Sequence, residues 1–318
     1  MRTAMNRERS LSQNPAQAGR VRDEPAFVLH ATPWRETSLI VDLLTRSYGR
    51  IGVVARGAKR PRSALRAVLL AFQPLTVSWS GRGELRTLVA ADWVGGLPAP
   101  QGSALLSSFY LNELIVRLLP REDPHPELFD AYLEAVGALG HGLAIEPSLR
   151  RFERSLLEKI GYGTDLQRDA QGQAIDPCAY YEFDPARGWV RRDASVYASD
   201  SAPPYPMPSA PLHPGAGSAE SASDGAAGGV SIGATGAASG SASTGATRAD
   251  LGSAATGATG AALGGGFSGA ALRALAQGQF ADLQTLAQVK SLTRMMLNAR
   301  LEGRPLATRQ ILLDLQRF

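Results

Sequence analysis

The sequence predicts an α+β chain. A five-stranded OB-type barrel comes first. An all-helical C-terminal domain follows, carrying a small irregular or β subregion and a long disordered insertion. Three observations predict this. Short apolar runs at period two fill residues 26–96. Apolar residues at spacings of three and four begin at Gly102. A tract rich in Gly, Ala, Ser and Thr, with no aromatic residue, separates Tyr205 from Phe267.

Residues 1–24 are charged and polar and lack the apolar stretch of a signal peptide, so they read as a disordered tail. Residues 25–98 form the barrel. "AFVLH" opens it. Leu39, Val41 and Leu43 share one face of the next run. Ile51, Val53 and Ala55 share one face of the third, and Leu75, Val77 and Trp79 of the fourth. "GELRTLVAADWV" is the fifth run, and the Gly81-Arg82-Gly83 turn joins it to the fourth. A helical break is expected around Ser63–Leu70. Five short strands with one helical break in about 70 residues suit a small closed barrel.

Residues 99–193 and 268–318 are expected to share one helical domain, because the last helices need a core to pack on. The first helix carries Leu105, Phe109, Leu111, Leu114, Ile115 and Leu118 and stops at Pro120. A second spans about 126–139. A third runs from Pro147 to Ile160, with Gly161 ending it. Short β content is expected in "CAYYEFD" and "GWVRRD". Ser268, Asp282 and Thr308 are the expected N-caps of the last three helices. Between the two halves, residues 194–267 hold too little to bury to offset the entropy of ordering. "GATGA" occurs there twice.

Charge and cysteine content narrow the function. Residues 27–96 hold ten Lys or Arg against four Asp or Glu, while the whole chain carries only +4. A local positive field attracts polyanions. The single cysteine, Cys178, excludes a disulfide within the chain and a thiolate cage, which fits a reducing cytoplasm. No apolar run reaches the roughly 18 residues of a membrane span.

The densest charge lies in "GRIGVVARGAKRPRS", Gly49 to Ser63. It superficially suggests a phosphate-cradling P-loop, but that pattern needs Lys directly after the second glycine and then Ser or Thr. Here Ala58 intervenes and Arg60 follows Lys59. The remaining reading is sequence-independent phosphate contact by side chains along one barrel face. The bland alternative is a solvated loop. Trp34, Tyr48 and Trp79 are possible stacking partners for unpaired bases, although the alternation favours Trp79 as core. In "SLRRFERSLLEK", Arg150 and Arg154 share a helix face, and Arg154 with Glu158 is an ordinary i,i+4 pair. No catalytic constellation stands out: the four histidines are scattered, and Asp165 and Asp169 read as caps or solvated charges.

"AFVLHATPWRETSLIVDLLTRSYGRIGVVARGAKRPRS" resembles the start of the bacterial recombination mediator RecO family. The likeness continues through "LLAFQPLTVSWSGRGELRTL", "FYLNELIVRLLP", "ELFDAYLEAV", "LRRFERSLLEKIGYGTDL" and "RMMLNARLEGRPLATRQILLDLQRF". The resemblance implies an OB domain, a helical domain, and no enzymatic turnover, catalytic residue or cofactor. It implies binding of single- and double-stranded DNA and annealing of complementary strands. It also implies action with RecR to load RecA on DNA coated by single-strand-binding protein, in the cytoplasm and associated with the nucleoid. The candidate DNA contacts are Arg35, Arg50, Arg56, Lys59, Arg60, Arg62, Arg66 and Arg82. Arg150, Arg151 and Arg154 are the candidates for docking the acidic tail of single-strand-binding protein. Some family members carry a four-cysteine zinc site after the "GYG" segment. Only Cys178 stands there in this chain, so no structural zinc is expected. A nucleic-acid-dependent nuclease and a pure interaction scaffold are the competing classes.

Overall fold

The computed structural model describes residues 19–192 and 266–315, which belong to one compact unit. Five strands close a barrel: β1 (Arg20–Trp34), β2 (Ser38–Thr45), β3 (Gly49–Ala55), β4 (Leu75–Ser80) and β5 (Leu85–Trp93), in the order β1-β2-β3-β5-β4. The β3–β5 pair is parallel and the others antiparallel, and a short helix α1 (Ala64–Val68) lies between β3 and β4. This is the OB-type closed barrel that the period-two runs predict. Val41, Leu43, Ile51, Val53, Leu75, Val77 and Trp79 all point inward and are buried. Gly81 and Gly83 take positive φ in the β4–β5 turn, as expected.

β1 starts earlier than the sequence suggests. Residues 20–24, placed in the tail by their polarity, are strand because β4 pairs with them, Arg20 opposite Ser80 and Val21 opposite Trp79. Residues 1–18 lie outside the described residues.

The helical part follows. It comprises α2 (Gly102–Leu118), α3 (Pro126–Gly140) and α4 (Ile145–Leu157), with one π-type turn over Glu158–Tyr162, where Gly161 has φ +81°. A small sheet holds β6 (Tyr180–Asp184) between β7 (Gly188–Arg192) and β8 (Phe267–Ser268). Then come α5 (Gly269–Gln277), α6 (Leu283–Arg300) and α7 (Ala307–Leu315). Of the expected insertion, residues 194–265 lie outside the described residues; Phe267, its last residue, opens β8. None of the described helices is long and apolar enough to cross a membrane.

The second core forms where the outside of the barrel meets α2, α3 and α4. Phe27, Leu29 and Leu44 turn outward from β1 and β2 and pack with Leu111, Leu114, Leu128, Phe129, Tyr132 and Phe152. The Phe27 ring meets Phe129 at 5.4 Å and Tyr132 at 5.0 Å. A third core joins the small sheet to α5 and α6 through Tyr181, Trp189, Leu272, Leu275, Val289 and Leu292.

Two of the three expected caps hold. Ser268 accepts the Ala271 N–H at 3.2 Å, and Asp282 accepts the Thr285 N–H at 2.7 Å. Thr308 is not a cap, since α7 begins at Ala307. The start of α7 is held by Glu113 of α2, which accepts the backbone N–H groups of Ala307 (2.7 Å) and Thr308 (2.9 Å) and the Thr308 hydroxyl (2.7 Å). Burial is the largest influence on the Glu113 carboxyl and pushes it up. The bonds from Thr308 and Ala307, with Arg117 beside them, outweigh it and hold the group below its usual 4.5.

A carboxyl lowered by folding stabilises the protein above its unfolded pKa, and that contribution is lost as pH falls through the folded value. Glu113→Ala is therefore expected to cost about 0.5–2 kcal/mol at neutral pH by uncapping α7. The difference from wild type should shrink as the pH is taken below 4.5. Chemical denaturation of both proteins at neutral and acid pH checks this; an unchanging difference would refute the charged cap.

Candidate nucleic-acid interface

The barrel has two ends, fixed by the strand directions. One holds the β1–β2 turn, the C-terminus of β3 and the loop that follows it. The other holds the β2–β3 and β4–β5 turns. At the first end Arg56 leaves β3 and the chain folds back on the β1–β2 turn, where the Lys59 N–H donates to the Thr37 carbonyl at 2.9 Å. Gly57, at φ +71°, lets the Arg60 stem fold to 3.6 Å from where its Cβ would sit. Ala58, Leu65, Val68 and Leu69 seal this end by packing onto the barrel core. Their burial forces the polar positions between them outward.

The result is a set of exposed cations on facing segments: Arg35 in the turn, and Arg56, Lys59 and Arg60 on the loop laid against it. Arg62 and Arg66, also exposed, continue along the loop and α1. Among the described residues none of the six is in an ion pair. Arg35 has positive φ and its guanidinium lies 5.9 Å from the Trp34 ring centroid. Trp34 is 42% exposed, whereas Trp79 is core and carries Tyr48 edge-on at 5.1 Å. Of the three aromatics considered for stacking, Trp34 is the exposed one.

Arg50 and Arg82 are elsewhere. Arg82 sits in the exposed β4–β5 turn, at the opposite end. Arg50 is the second residue of β3, six residues from Arg56, or roughly 20 Å along an extended strand. It is half-buried and its Nε has no hydrogen-bond partner. Burial is the main reason its guanidinium is held below the ordinary value, followed by the charge of Arg121. The charge-rich run "GRIGVVARGAKRPRS" is thus divided by its own strand, so its arginines do not all share one side.

Two functional-looking arginines escape the sequence reading. Arg86 is 4% exposed and pairs with Glu122 at 3.0 Å. A signal existed, because period two places Arg86 on the same face as the core residue Leu88. Arg121, from the α2–α3 connection, lies across β2 and β3 with Nη2 at 2.7 Å from the Asp42 carboxylate. Nothing in "PREDPHP" announces that return to the barrel.

The helical candidates separate too. Arg150 is 5% exposed. Its Nη1 donates to Glu153 at 2.6 Å and to the Thr293 hydroxyl at 2.9 Å, and its Nη2 lies 3.4 Å from Glu146. Glu153 is fully buried and also accepts the Tyr110 hydroxyl at 2.7 Å. Burial first, and then the charge of Glu153, push the Tyr110 hydroxyl well above its ordinary value, so it stays a donor. Arg150 is therefore spent inside the protein. Arg151 is exposed, donates to the Gly278 carbonyl at 2.9 Å and lies 5.8 Å from the Phe280 ring centroid. Arg154 lines a cleft of about 320 Å³ with Leu157, Gly163, Thr164, Leu166, Leu275 and Met296. Glu158 stands 3.9 Å from it. Asp165 and Asp169 act as turn caps, each accepting two backbone N–H groups of the 165–173 loop.

Residues 21–97 match the family model described as recombination protein O N terminal, and residues 100–206 match that described as recombination protein O C terminal. DNA repair protein RecO of Burkholderia pseudomallei is 42% identical over 297 residues, 93% of this chain and 85% of that protein. The protein of the same name from Ralstonia nicotianae is 40% identical over 299 residues, 94% of this chain and 86% of its own. That from Azoarcus is 40% identical over 297 residues, 93% of this chain and 97% of its own.

Arg150→Met should destabilise the protein by about 3–5 kcal/mol, because Glu153 is left charged and unpaired in the interior. Arg154→Met should change stability by no more than about 0.5 kcal/mol. Urea denaturation of the two variants decides; equal, small effects would release Arg150 for a ligand-binding role.

Proposed function

Since the chain belongs to the recombination protein O family of DNA repair proteins, we propose that it is a non-enzymatic mediator that binds single- and double-stranded DNA and anneals complementary strands. With RecR, it helps load RecA on DNA coated by single-strand-binding protein. One observation carries the DNA reading. On a sealed barrel end, Arg35, Arg56, Lys59 and Arg60 are exposed, without an ion pair among the described residues, and drawn together by the Lys59–Thr37 hydrogen bond. Arg62 and Arg66 extend the patch; Arg82 is a separate contact at the far end.

Annealing needs two polyanions held close. Cations that neutralise phosphates release counterions, so affinity is strong, salt-sensitive and indifferent to base order. Contacts to phosphate fix position without reading sequence, which leaves the base edges free to pair. The exposed Trp34 beside Arg35 adds a surface on which an unpaired base can stack. The acidic tail of single-strand-binding protein would dock on the other side of the chemistry, at the cleft beside Arg154, with Arg151 next to it on α4. Arg150 holds that helix in place. Docking there raises the local concentration of the cationic patch on coated strands.

Reversing Arg56, Lys59 and Arg60 together to Glu is expected to abolish strand annealing while the thermal transition stays in place. The slope of log K against log salt for single-stranded DNA should become shallower by about two units, close to 0.7 for each lost phosphate contact. Fluorescence anisotropy over a salt series and an annealing assay, with and without tail-truncated single-strand-binding protein, measure these. Unaltered strand binding in the triple variant at physiological salt would overturn the proposal, and magnesium-dependent cleavage of the strand would replace it with a nuclease.

A further inference from the structure

The outer face of β2 and β3 carries a second concentration of guanidinium groups, assembled from two parts of the chain. Residues inward on β3 are Ile51, Val53 and Ala55, so Arg50, Gly52 and Val54 point out. The α2–α3 connection lies against this face. Arg121 runs parallel to Arg50, and the Glu122 N–H donates to the Arg50 carbonyl at 3.0 Å. Gly49 has φ +67° and the Asp123 backbone occupies the place its side chain would need. At Gly52 an added Cβ would lie 2.7 Å from Arg121 Nη1. The missing side chain thus gives the Arg121 guanidinium its seat, one outward position along from Arg50, or roughly 7 Å.

The charges here do not balance. Asp42 engages Arg121, Glu122 engages the buried Arg86, and Asp123 pairs with His125. Among the described residues Arg50 makes no ion pair, Asp42 reaching it only through its charge, and its Nε is buried without a hydrogen-bond partner. A half-buried guanidinium beside a second one has lost hydration and gained repulsion. An incoming anion relieves both, and guanidinium forks suit a phosphate oxygen pair.

We propose that Arg50 and Arg121 form a two-arginine clamp for one backbone phosphate of a bound DNA strand, so that the helical part of the protein contributes directly to the DNA surface of the barrel. The strand would cross the outer β2–β3 face from the Arg35–Lys59 end to this clamp, a path that OB barrels favour. The proposal rests on the DNA-binding reading above, but the two can fail separately.

The test uses the full chain, a mixed-sequence single-stranded oligonucleotide and anisotropy over a salt series. Arg121→Gln and Arg50→Gln should each flatten the log–log slope by about 0.7, and the double variant should flatten it no further, since both hold the same phosphate. Asp42→Asn frees Arg121 and removes a competing anion, so it should tighten binding. If Arg121 acted only by bracing Asp42, Asp42→Asn would weaken binding as Arg121→Gln does, and the clamp would be wrong. Additive slopes in the double variant would also overturn it, as would an unchanged slope in Arg121→Gln when the Arg56, Lys59 and Arg60 reversal abolishes binding. Inorganic phosphate, added at constant ionic strength, tests a free anion as the occupant. If it erases the difference between wild type and Arg121→Gln while the strand stays bound, the pair belongs to free phosphate and the DNA contact falls.

Discussion

The position of the barrel against the helices depends on one buried carbonyl. The β1–β2 register shifts between Val28 and His30, so Leu29 drops out of the ladder. Its carbonyl is buried and must find a donor elsewhere. Asn112 of α2 supplies one at 2.9 Å, and its own amide oxygen accepts the Tyr132 hydroxyl at 2.5 Å. A bulge in a strand, an amide on one helix and a phenol on the next are thereby tied into one dry network. Burial pushes the Tyr132 hydroxyl far up, so it stays a neutral donor. Apolar packing of Phe27, Leu29 and Leu44 supplies the area, but area alone is non-directional. The network adds direction to that area. The α2–α3 connection, carried between the two helices of this network, brings Arg121 to Asp42.

Much of the barrel was legible because its cause is local. Period-two spacing marks the inward residues, cleanly in β4, and all of those named from it are in the core except Leu39, which is partly buried against it. The helices were legible for the same reason, down to the cap at Asp282. What failed depends on pairing between distant segments. Residues 20–24 look like a tail until β4 lies beside them. Thr308 looks like a cap until Glu113 arrives from α2. Arg150 looks like an exposed charge because its helix face is polar, yet that face is polar to satisfy Glu153, Tyr110 and Thr293 in the interior. The candidate site divides along the same line. Arg56, Lys59 and Arg60 lie within five residues of one loop and stay together, while Arg50 is carried away by the strand between them.

The electrostatic design follows from which carboxylates are where. Arg46 has Asp130, held at 2.8 Å, and hydrogen bonding from Arg46 keeps that carboxyl below its ordinary value. Arg86 has Glu122 and Arg121 has Asp42. Acidic groups thus pair Arg46, Arg86 and Arg121 between barrel and helices, while at the sealed end Glu36 pairs with none of the cations among the described residues. A field built that way acts at a distance on polyanions at low ionic strength and fades over about 8–10 Å in physiological salt.

The small sheet has a consequence for how this chain can vary. Tyr180, at the start of β6, is opposite Arg192 at the end of β7 on one side and Ser268 of β8 on the other. The backbone therefore departs and re-enters at two posts about 10 Å apart, two strand spacings, on a platform already complete without it. A flexible connection between two such posts lengthens at only about 0.6 kcal/mol per doubling. With such a connection, insertions and deletions would accumulate over evolutionary time at almost no thermodynamic penalty, and a reporter domain spliced between the posts would meet the same tolerance.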